Sequence, residues 1–348
     1  VLGLSCQTYR IYPCAEIAKR VKAANPEIII VIGGPHTTAY PLETLGLPGV
    51  DYVVEGDGDT SLKLLLDALA AGDEKKLKAV PGLIYREFSG REFSGVVRNP
   101  VSNSPDLNAI PIPNRDLLDM KDYYTAADGS SEVITMISSR GCPFKCVYCD
   151  VLEKQYRYRS AKNVVDEMEH ISKKYNDPVV HIFDDTYNLT KKRVMEISEE
   201  IIRRGVKVKW TTRARVSPFD DEMVSLMAQS GLKRAHFGVE SGSPLSLQKI
   251  KKGVRVEHIV KAFELCKKYG VESLAYFIIG FDWETKKELK ETVKFIGQIS
   301  PDFIMANMLH PLAKTAVYED LIKNGVFKKD YWLEHAIKPV PEFRLPPH

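Results

Sequence analysis

Three of the chain's six cysteines fall within eight positions, in the stretch RGCPFKCVYCD (Arg140 to Asp150), at the spacing C-x-x-x-C-x-x-C. Thiolates are soft ligands that suit zinc and iron–sulfur centres. Cys142, Cys146 and Cys149 are close enough along the chain to converge on one inorganic centre, with neighbouring sulfurs expected about 4 Å apart. A closed structural metal site takes four ligands, whereas this loop offers three, and no fourth Cys or His follows at finger-like spacing. A cluster held by three thiolates leaves one iron open to a further ligand, which makes the site chemical rather than structural. The competing reading is a zinc-binding structural module. Cys6, Cys14 and Cys266 are dispersed and read as small, partly buried residues.

A loop of this kind needs a rigid carrier. From Glu132 to about residue 325, six strand–helix units can be counted. The strands are VITMISS, VVHIFDD, VKVKWTTR, RAHFGVE, ESLAYFIIG and DFIMANMLH, with helices near 161–175, 190–204, 220–230, 255–269, 284–299 and 316–324. Ser160, Thr190 and Asp220 stand at helix starts, and Gly205, Gly231 and Gly270 at helix ends. Consecutive βα units imply a curved parallel sheet, a partial (β/α)6 TIM-like barrel whose chemistry lies on the rim at the strands' carboxyl ends. The cysteine run follows the first of these strands, on that rim. Ahead of it, VLGLS, IIIVIGG and DYVVEG alternate with helical segments, the pattern of an α/β, doubly wound (Rossmann-like) parallel sheet whose ligands bind beyond the strand ends. The expected organisation is a first domain over residues 1–80, a proline-rich linker over 81–130, the barrel over 131–325 and an irregular tail over 326–348.

The chain has 348 residues, 44% hydrophobic and 27% charged, enough for two globular domains. A net charge of +3, with acids and bases interspersed, argues against a nucleic-acid footprint. The longest apolar runs are strand length, so no membrane span is expected. Few and mostly scattered cysteines fit a reducing cytoplasm better than a disulfide scaffold. The opening VLGLSC is strand-like from its first residue, so the chain is expected to begin inside a domain.

The motif Cys142-Pro143-Phe144-Lys145-Cys146-Val147-Tyr148-Cys149, with an aromatic before the third Cys, resembles the signature of the radical S-adenosylmethionine (radical SAM) superfamily. That resemblance implies a [4Fe–4S] cluster on the three cysteines, taken here as its only protein ligands. The open iron would chelate SAM, and reductive cleavage of SAM would give a 5′-deoxyadenosyl radical. Carried onto this sequence, it places Tyr148, Asp184, Asp185, Arg213, Glu240, Ser241 and Gly280 at the SAM site, with the Asp pair near the SAM ammonium, Arg213 facing a carboxylate or substrate anion, and Gly280 beside the adenine.

The amino-terminal segments LGLSCQTY, GGPHTTAYP and DYVVEGDGD, followed by PDLNAIPIPNRDLL, resemble the cobalamin-binding domain of one branch of the superfamily. This branch includes anaerobic porphyrin-ring cyclases and carbon methyltransferases. By that resemblance Ser5, Thr8, Gly33, Gly34, Glu55 and Gly56 line the cobalamin loops. The first domain counts only three strand–helix units, so amino-terminal truncation and poor cobalamin retention are expected. Asp282-Trp283 and Ala313-Lys314-Thr315 depart from the family's pattern at the expected active rim. The implied activity is cobalamin-dependent methyl transfer to an unactivated carbon, or alternatively a radical cyclisation or rearrangement. A small-molecule or lipid-like substrate and an electron donor such as flavodoxin or ferredoxin are implied with it.

Overall fold

A computed structural model describes all residues except 91, 102–105, 126, 129–131, 328–329 and 338–348. The chain divides into two compact units, Val1–Pro105 with Pro311–His348, and Asp106–His310. The first unit runs β1 (Leu2–Ser5), α1 (Ile11–Ala24), β2 (Ile30–Gly33), α2 (Pro35–Ala39), α3 (Pro41–Leu45), β3 (Tyr52–Val54), α4 (Gly58–Ala71), α5 (Glu74–Leu77), β4 (Leu83–Ser89) and β5 (Glu92–Arg98). Its sheet has the order β1-β2-β3-β4-β5, the first three strands parallel and the last two antiparallel. Strands β2 and β3 are apolar because both their faces are covered, whereas β1, at the sheet edge, alternates half-buried Leu2 and Leu4 with exposed Gly3 and Ser5. Ile30, Ile32 and Val53 pack with Ile11, Ala18 and Leu45 on one side, and Val31 and Val54 pack with Leu65 and Ala68 on the other.

The stretch expected to be a linker from residue 81 instead opens with the β4–β5 hairpin, which completes this sheet. Its charged outer residues disguise it, as is usual for edge strands. Tertiary bonds fix it: Asn99 Nδ2 donates to the carbonyls of Leu77 and Val80, both at 2.7 Å.

The second unit contains β6 (Val133–Met136), β7 (Ser139–Arg140), β8 (Arg157–Tyr158), α6 (Ala161–Lys174), β9 (Val179–Ile182), α7 (Lys191–Arg204), β10 (Lys209–Ala214), α8 (Asp221–Gln229), β11 (Leu232–Glu240), α9 (Pro244–Lys249), α10 (Val256–Lys268), β12 (Glu272–Ile279), α11 (Lys286–Ile299) and β13 (Phe303–Met308). Strands β6, β9, β10, β11, β12 and β13 lie side by side in chain order, all parallel, as a partial barrel. One face packs under the helices, where Phe237 meets Phe219 at 5.0 Å and Phe263 at 5.3 Å between ring centroids. The caps at Ser160 and Asp220 accept from Asn163 N and Met223 N, and Thr285 with Glu288 forms a capping box. Such caps contribute about 1 kcal/mol each. Helix α9 was not anticipated, and it delivers a residue of the site below.

Two further helices, α12 (Ala316–Lys323) and α13 (Tyr331–Ile337), follow. The barrel was expected to run to 325 and the tail to be irregular from 326. Residues from Pro311 onward cluster with the first unit instead. Tyr318 and Trp332 pack on Tyr40, and Asp330 accepts hydrogen bonds from Tyr40 Oη at 2.9 Å, Tyr318 Oη at 2.6 Å and Trp332 N at 3.1 Å. Ala313-Lys314-Thr315 goes with them, and Lys314 Nζ lies 4.5 Å from the centre of the Tyr40 ring. Among the described residues no helix is long and apolar enough to cross a membrane.

Candidate active site

The cysteine loop leaves the sheet just after β6 and is pinched shut at its base. Ser139 pairs with Tyr158 and Arg140 with Arg157 in the short β7–β8 ribbon, and Cys142 N donates to the Glu153 carbonyl at 3.0 Å. Gly141 has φ +83°, and a Cβ there would collide with the Gln155 carbonyl oxygen, so this position needs glycine. Within the loop, Cys149 N donates to Cys146 O at 3.1 Å, turning two thiols onto one short arc. Cys142 is buried, with its Sγ 3.2 Å from Thr186 Oγ1. Cys146 and Cys149 are half-buried. Burial pushes the Cys149 thiol up to about 11, so metal binding there has to displace a proton.

Asp184, expected near the SAM ammonium, is 1% exposed. Its Oδ1 accepts from Ser138 N (2.6 Å) and Ser139 N (3.0 Å), and its Oδ2 accepts from both serine hydroxyls at 2.6 Å. With both oxygens committed, the geometry gives it the job of anchoring the start of the cysteine loop to the end of β9. Asp185 Oδ2 accepts from Gly141 N at 3.0 Å, and desolvation pushes its carboxyl above the usual range despite that bond.

Tyr148, between two of the cysteines, donates to Glu240 Oε1 at 2.7 Å, and Lys252 Nζ donates to the same oxygen at 2.7 Å. Both members of the ion pair are buried, Glu240 at 5% and Lys252 at 7% exposure. Glu240 reaches this place from a left-handed backbone, φ +68°, which costs about 1–2 kcal/mol for a residue with a Cβ. At Gly238 a Cβ would collide with Glu240 Oε1 and lie 2.8 Å from Lys252 Nζ. The Tyr148 phenol is pushed far up, first by burial and then by the Glu240 charge, and so stays a donor. The segment that carries Lys252 also grips the loop directly. Val147 N donates to the Ile250 carbonyl at 3.2 Å, and Arg215 donates to the Lys252 carbonyl at 2.6 Å while its guanidinium carbon lies 3.6 Å from the Phe144 ring centre.

Compared with known proteins, residues 136–296 match the radical SAM superfamily and residues 1–66 match the B12 binding domain. An uncharacterized methyltransferase of Pyrococcus horikoshii is 34% identical over 99% of this chain and 74% of its own. The chain belongs to the radical SAM superfamily. The anaerobic magnesium-protoporphyrin IX monomethyl ester cyclase of Rubrivivax gelatinosus is 28% identical over 97% of this chain, which spans 62% of that protein. In fold, the chain superposes on the radical SAM methyltransferase TsrM from Kitasatospora setae with a TM-score of 0.77 at 19% identity, covering 92% of this chain and 66% of that one. A radical SAM domain implies a [4Fe–4S] cluster and SAM, and a B12-binding domain implies cobalamin.

Among the described residues no three Cys, His, Asp or Glu side chains are gathered closely enough to hold one metal ion. The sulfur spacing of about 4 Å expected for Cys142, Cys146 and Cys149 is not formed. Cys266, the remaining thiol nearest in sequence, lies buried in α10, where burial and then Asp302, just ahead of β13, push it up to about 12. That places it toward the strands' amino ends, away from the cysteine loop.

The other radical SAM positions behave differently from one another. Ser241 is fully buried, its hydroxyl 3.0 Å from Thr292 Oγ1 and accepting from Ser243 N at 3.1 Å, so it stiffens the turn after β11. Gly280, at φ +95°, donates its N–H to Glu284 Oε2 at 2.8 Å. Beside it, Trp283, one of the departures from the family pattern, stacks on Phe281 at 4.6 Å, and Phe281 meets Tyr148 edge-on at 6.3 Å. Arg213 is exposed at the end of β10, over the Phe183 ring at 4.2 Å. Sequence reasoning missed Lys252; the only signal it left was a Lys-Lys-Gly turn after a short helix.

In the B12-binding unit, Ser5 and Gly33 are the last residues of β1 and β2, and Thr8, Gly34, Glu55 and Gly56 follow the carboxyl ends of β1, β2 and β3. Gly34 has φ +98°, and a Cβ there would sit 2.8 Å from Cys6 N. Gly56 has φ +80°, with Val101 Cγ1 2.9 Å from the Cβ position. The Glu55 carboxylate is engaged by Arg98 at 2.8 and 2.9 Å, which turns it toward the hairpin. Thr8 Oγ1 lies 3.3 Å from Nδ1 of the buried His36, a residue the sequence did not single out.

Proposed function

We propose that the chain is a cobalamin-type radical SAM enzyme that transfers a methyl group to an unactivated carbon. The observation that carries the reading is the three-thiol loop at the carboxyl rim of six parallel strands, in one chain with a B12-binding domain. When bound, the cluster and SAM supply one-electron cleavage to a 5′-deoxyadenosyl radical, and cobalamin supplies a methyl carrier. Cys142, Cys146 and Cys149 hold the cluster. Asp184 fixes the loop's base, and Tyr148, Glu240 and Lys252 fix its far side, so that the thiols are oriented before iron arrives. Asp185 and the Gly280 turn face the space a SAM molecule would take. Ser5, Thr8 and the backbone at Gly33, Gly34 and Gly56 border the cobalamin loops.

A radical cyclisation without methyl transfer is the second reading, favoured by the similarity over 97% of the chain to the Rubrivivax cyclase. The electron source in either case is a small reductant protein of the flavodoxin or ferredoxin class, in a reducing cytoplasm, and the substrate is a small or lipid-like molecule. The test is anaerobic incubation with SAM, a reductant and cobalamin after iron and sulfide loading. 5′-Deoxyadenosine with S-adenosylhomocysteine supports the methylase, and 5′-deoxyadenosine alone supports the second reading. A colourless protein that holds zinc and leaves SAM intact overturns both.

A further inference from the structure

The inner face of the barrel sheet carries a wall that the roles above leave unused. Thr135, His181 and Thr211 are register partners across β6, β9 and β10. Two residues further along, Ile137, Phe183 and Arg213 therefore share their face, since side chains alternate along a strand. Arg213 lies opposite His236 on β11, and Tyr276 and Met305, opposite one another on β12 and β13, continue the wall toward the carboxyl rim. Ile137 is 45% exposed, Phe183 40% and Met305 47%. Large apolar side chains left open together on a concave face mark a ligand surface.

One cation stands in this wall. Arg213 is exposed over Phe183, and among the described residues no carboxylate or carbonyl accepts a hydrogen bond from it. Asp185 is near enough to feel its field, yet forms no ion pair with it within 4.0 Å. The neighbouring arginines are committed: Arg215 to the Lys252 carbonyl, and Arg234 to Asp128 at 3.3 Å and Glu272 at 2.6 Å. His236 has its Nδ1 3.2 Å from Tyr276 Oη, and burial, then Arg234, lower it to about 4, so it adds polarity to the wall without charge.

We infer that this wall takes an amphipathic anion, its apolar body against Phe183, Tyr276 and Met305 and its carboxylate, sulfonate or phosphate on Arg213. Calling that ligand the substrate rests on the radical SAM reading; the binding itself does not. Among the described residues no carboxylate pairs with Arg213 within 4.0 Å, so an incoming anion finds its donors free. The Phe183 ring, 4.2 Å from the guanidinium carbon, offers it a cation–π contact.

The probes are anilinonaphthalene sulfonate and its uncharged counterpart phenylnaphthylamine, titrated by fluorescence into the full chain. Arg213→Gln is expected to weaken the sulfonate dye about tenfold, the loss of one charge-assisted bond, and to leave the uncharged dye unchanged. Met305→Glu is expected to weaken both. Unchanged sulfonate binding in either variant, or an equal loss of both dyes in Arg213→Gln, overturns the inference. Saturating SAM separates the two sources of an anion. Sulfonate dye that stays bound supports a substrate site, whereas displacement by SAM, with SAM binding lost in Arg213→Gln, gives Arg213 to the SAM carboxylate and overturns it. The dye titrations need neither iron nor reductant, and the SAM arm is run on iron- and sulfide-loaded protein without reductant, so their failure is distinct from an absence of 5′-deoxyadenosine.

Discussion

In the B12-binding unit, the loops beyond the strands are shaped by backbone. Gly34 and Gly56 take positive φ where a Cβ would strike a neighbour, and Glu55, the acidic side chain expected there, is drawn off by Arg98. In the barrel the loops are held by charge out of water. Asp184 accepts four hydrogen bonds, and Glu240 balances Lys252 beneath Tyr148. Both units place their loops at the carboxyl ends of parallel strands, yet they should fail under different substitutions. A backbone-built surface suits a large, many-contact ligand and is broken by bulk. A loop that must present thiols in one arrangement needs side-chain bracing, and is broken by removing a partner.

The largest contrast is expected from the thiols. Replacing Cys142, Cys146 or Cys149 by Ala should abolish cluster loading and SAM cleavage while leaving any cobalamin bound by the first unit unchanged, measured by iron content and visible spectra. Simultaneous loss of both cofactors would mean that the two sites do not assemble independently.

The ion pairs come next. Lys252→Met strands a buried carboxylate and should cost about 3–5 kcal/mol, with cluster loading reduced. Arg98→Met, at a half-exposed pair, should cost under about 1 kcal/mol. Denaturant unfolding of the two variants checks this, and equal costs would erase the distinction between charge-braced and backbone-shaped loops.

Acid should affect both units through one residue type. Burial lowers His36, against the pull of Asp330, and burial with Arg234 lowers His236, each to about 4 from an ordinary 6.5. A depressed folded value means that the unfolded chain binds the extra proton. Stability is therefore complete above about pH 6.5 and is lost as pH falls through about 4, by about 3 kcal/mol for each histidine. Unfolding followed against pH, with His36→Gln and His236→Gln each flattening part of the slope, tests the assignment.

Smaller effects are expected at the glycines. Gly34→Ala should cost about 1–3 kcal/mol and weaken cobalamin without touching iron content. Gly270, also at positive φ but with open space around it, should tolerate Ala at about 1 kcal/mol. Thermal unfolding and cobalamin titration of the two variants would show whether close backbone approach, rather than φ alone, shapes the first unit's loops.

The sequence by itself determined what short-range chemistry encodes. The 142/146/149 spacing is read within eight residues. The six barrel strands and the helices between them announce themselves through apolar runs, N-caps such as Ser160 and Asp220, and terminal glycines, because these act within a turn or two of the chain. Tertiary structure alone decided the rest. Glu240 and Lys252 are twelve residues apart and meet only because α9 turns the chain back. Asp184 looked like a ligand group until four donors from 46 and 45 positions upstream closed on it. The hairpin at 83–98 was hidden because an edge strand needs few apolar residues of its own. The helices after Pro311 joined the first unit because Asp330 and Trp332 found Tyr40, 290 positions away in the case of Asp330. A buried polar group is stable only where its partners are, and partners distant in sequence leave no local pattern to read.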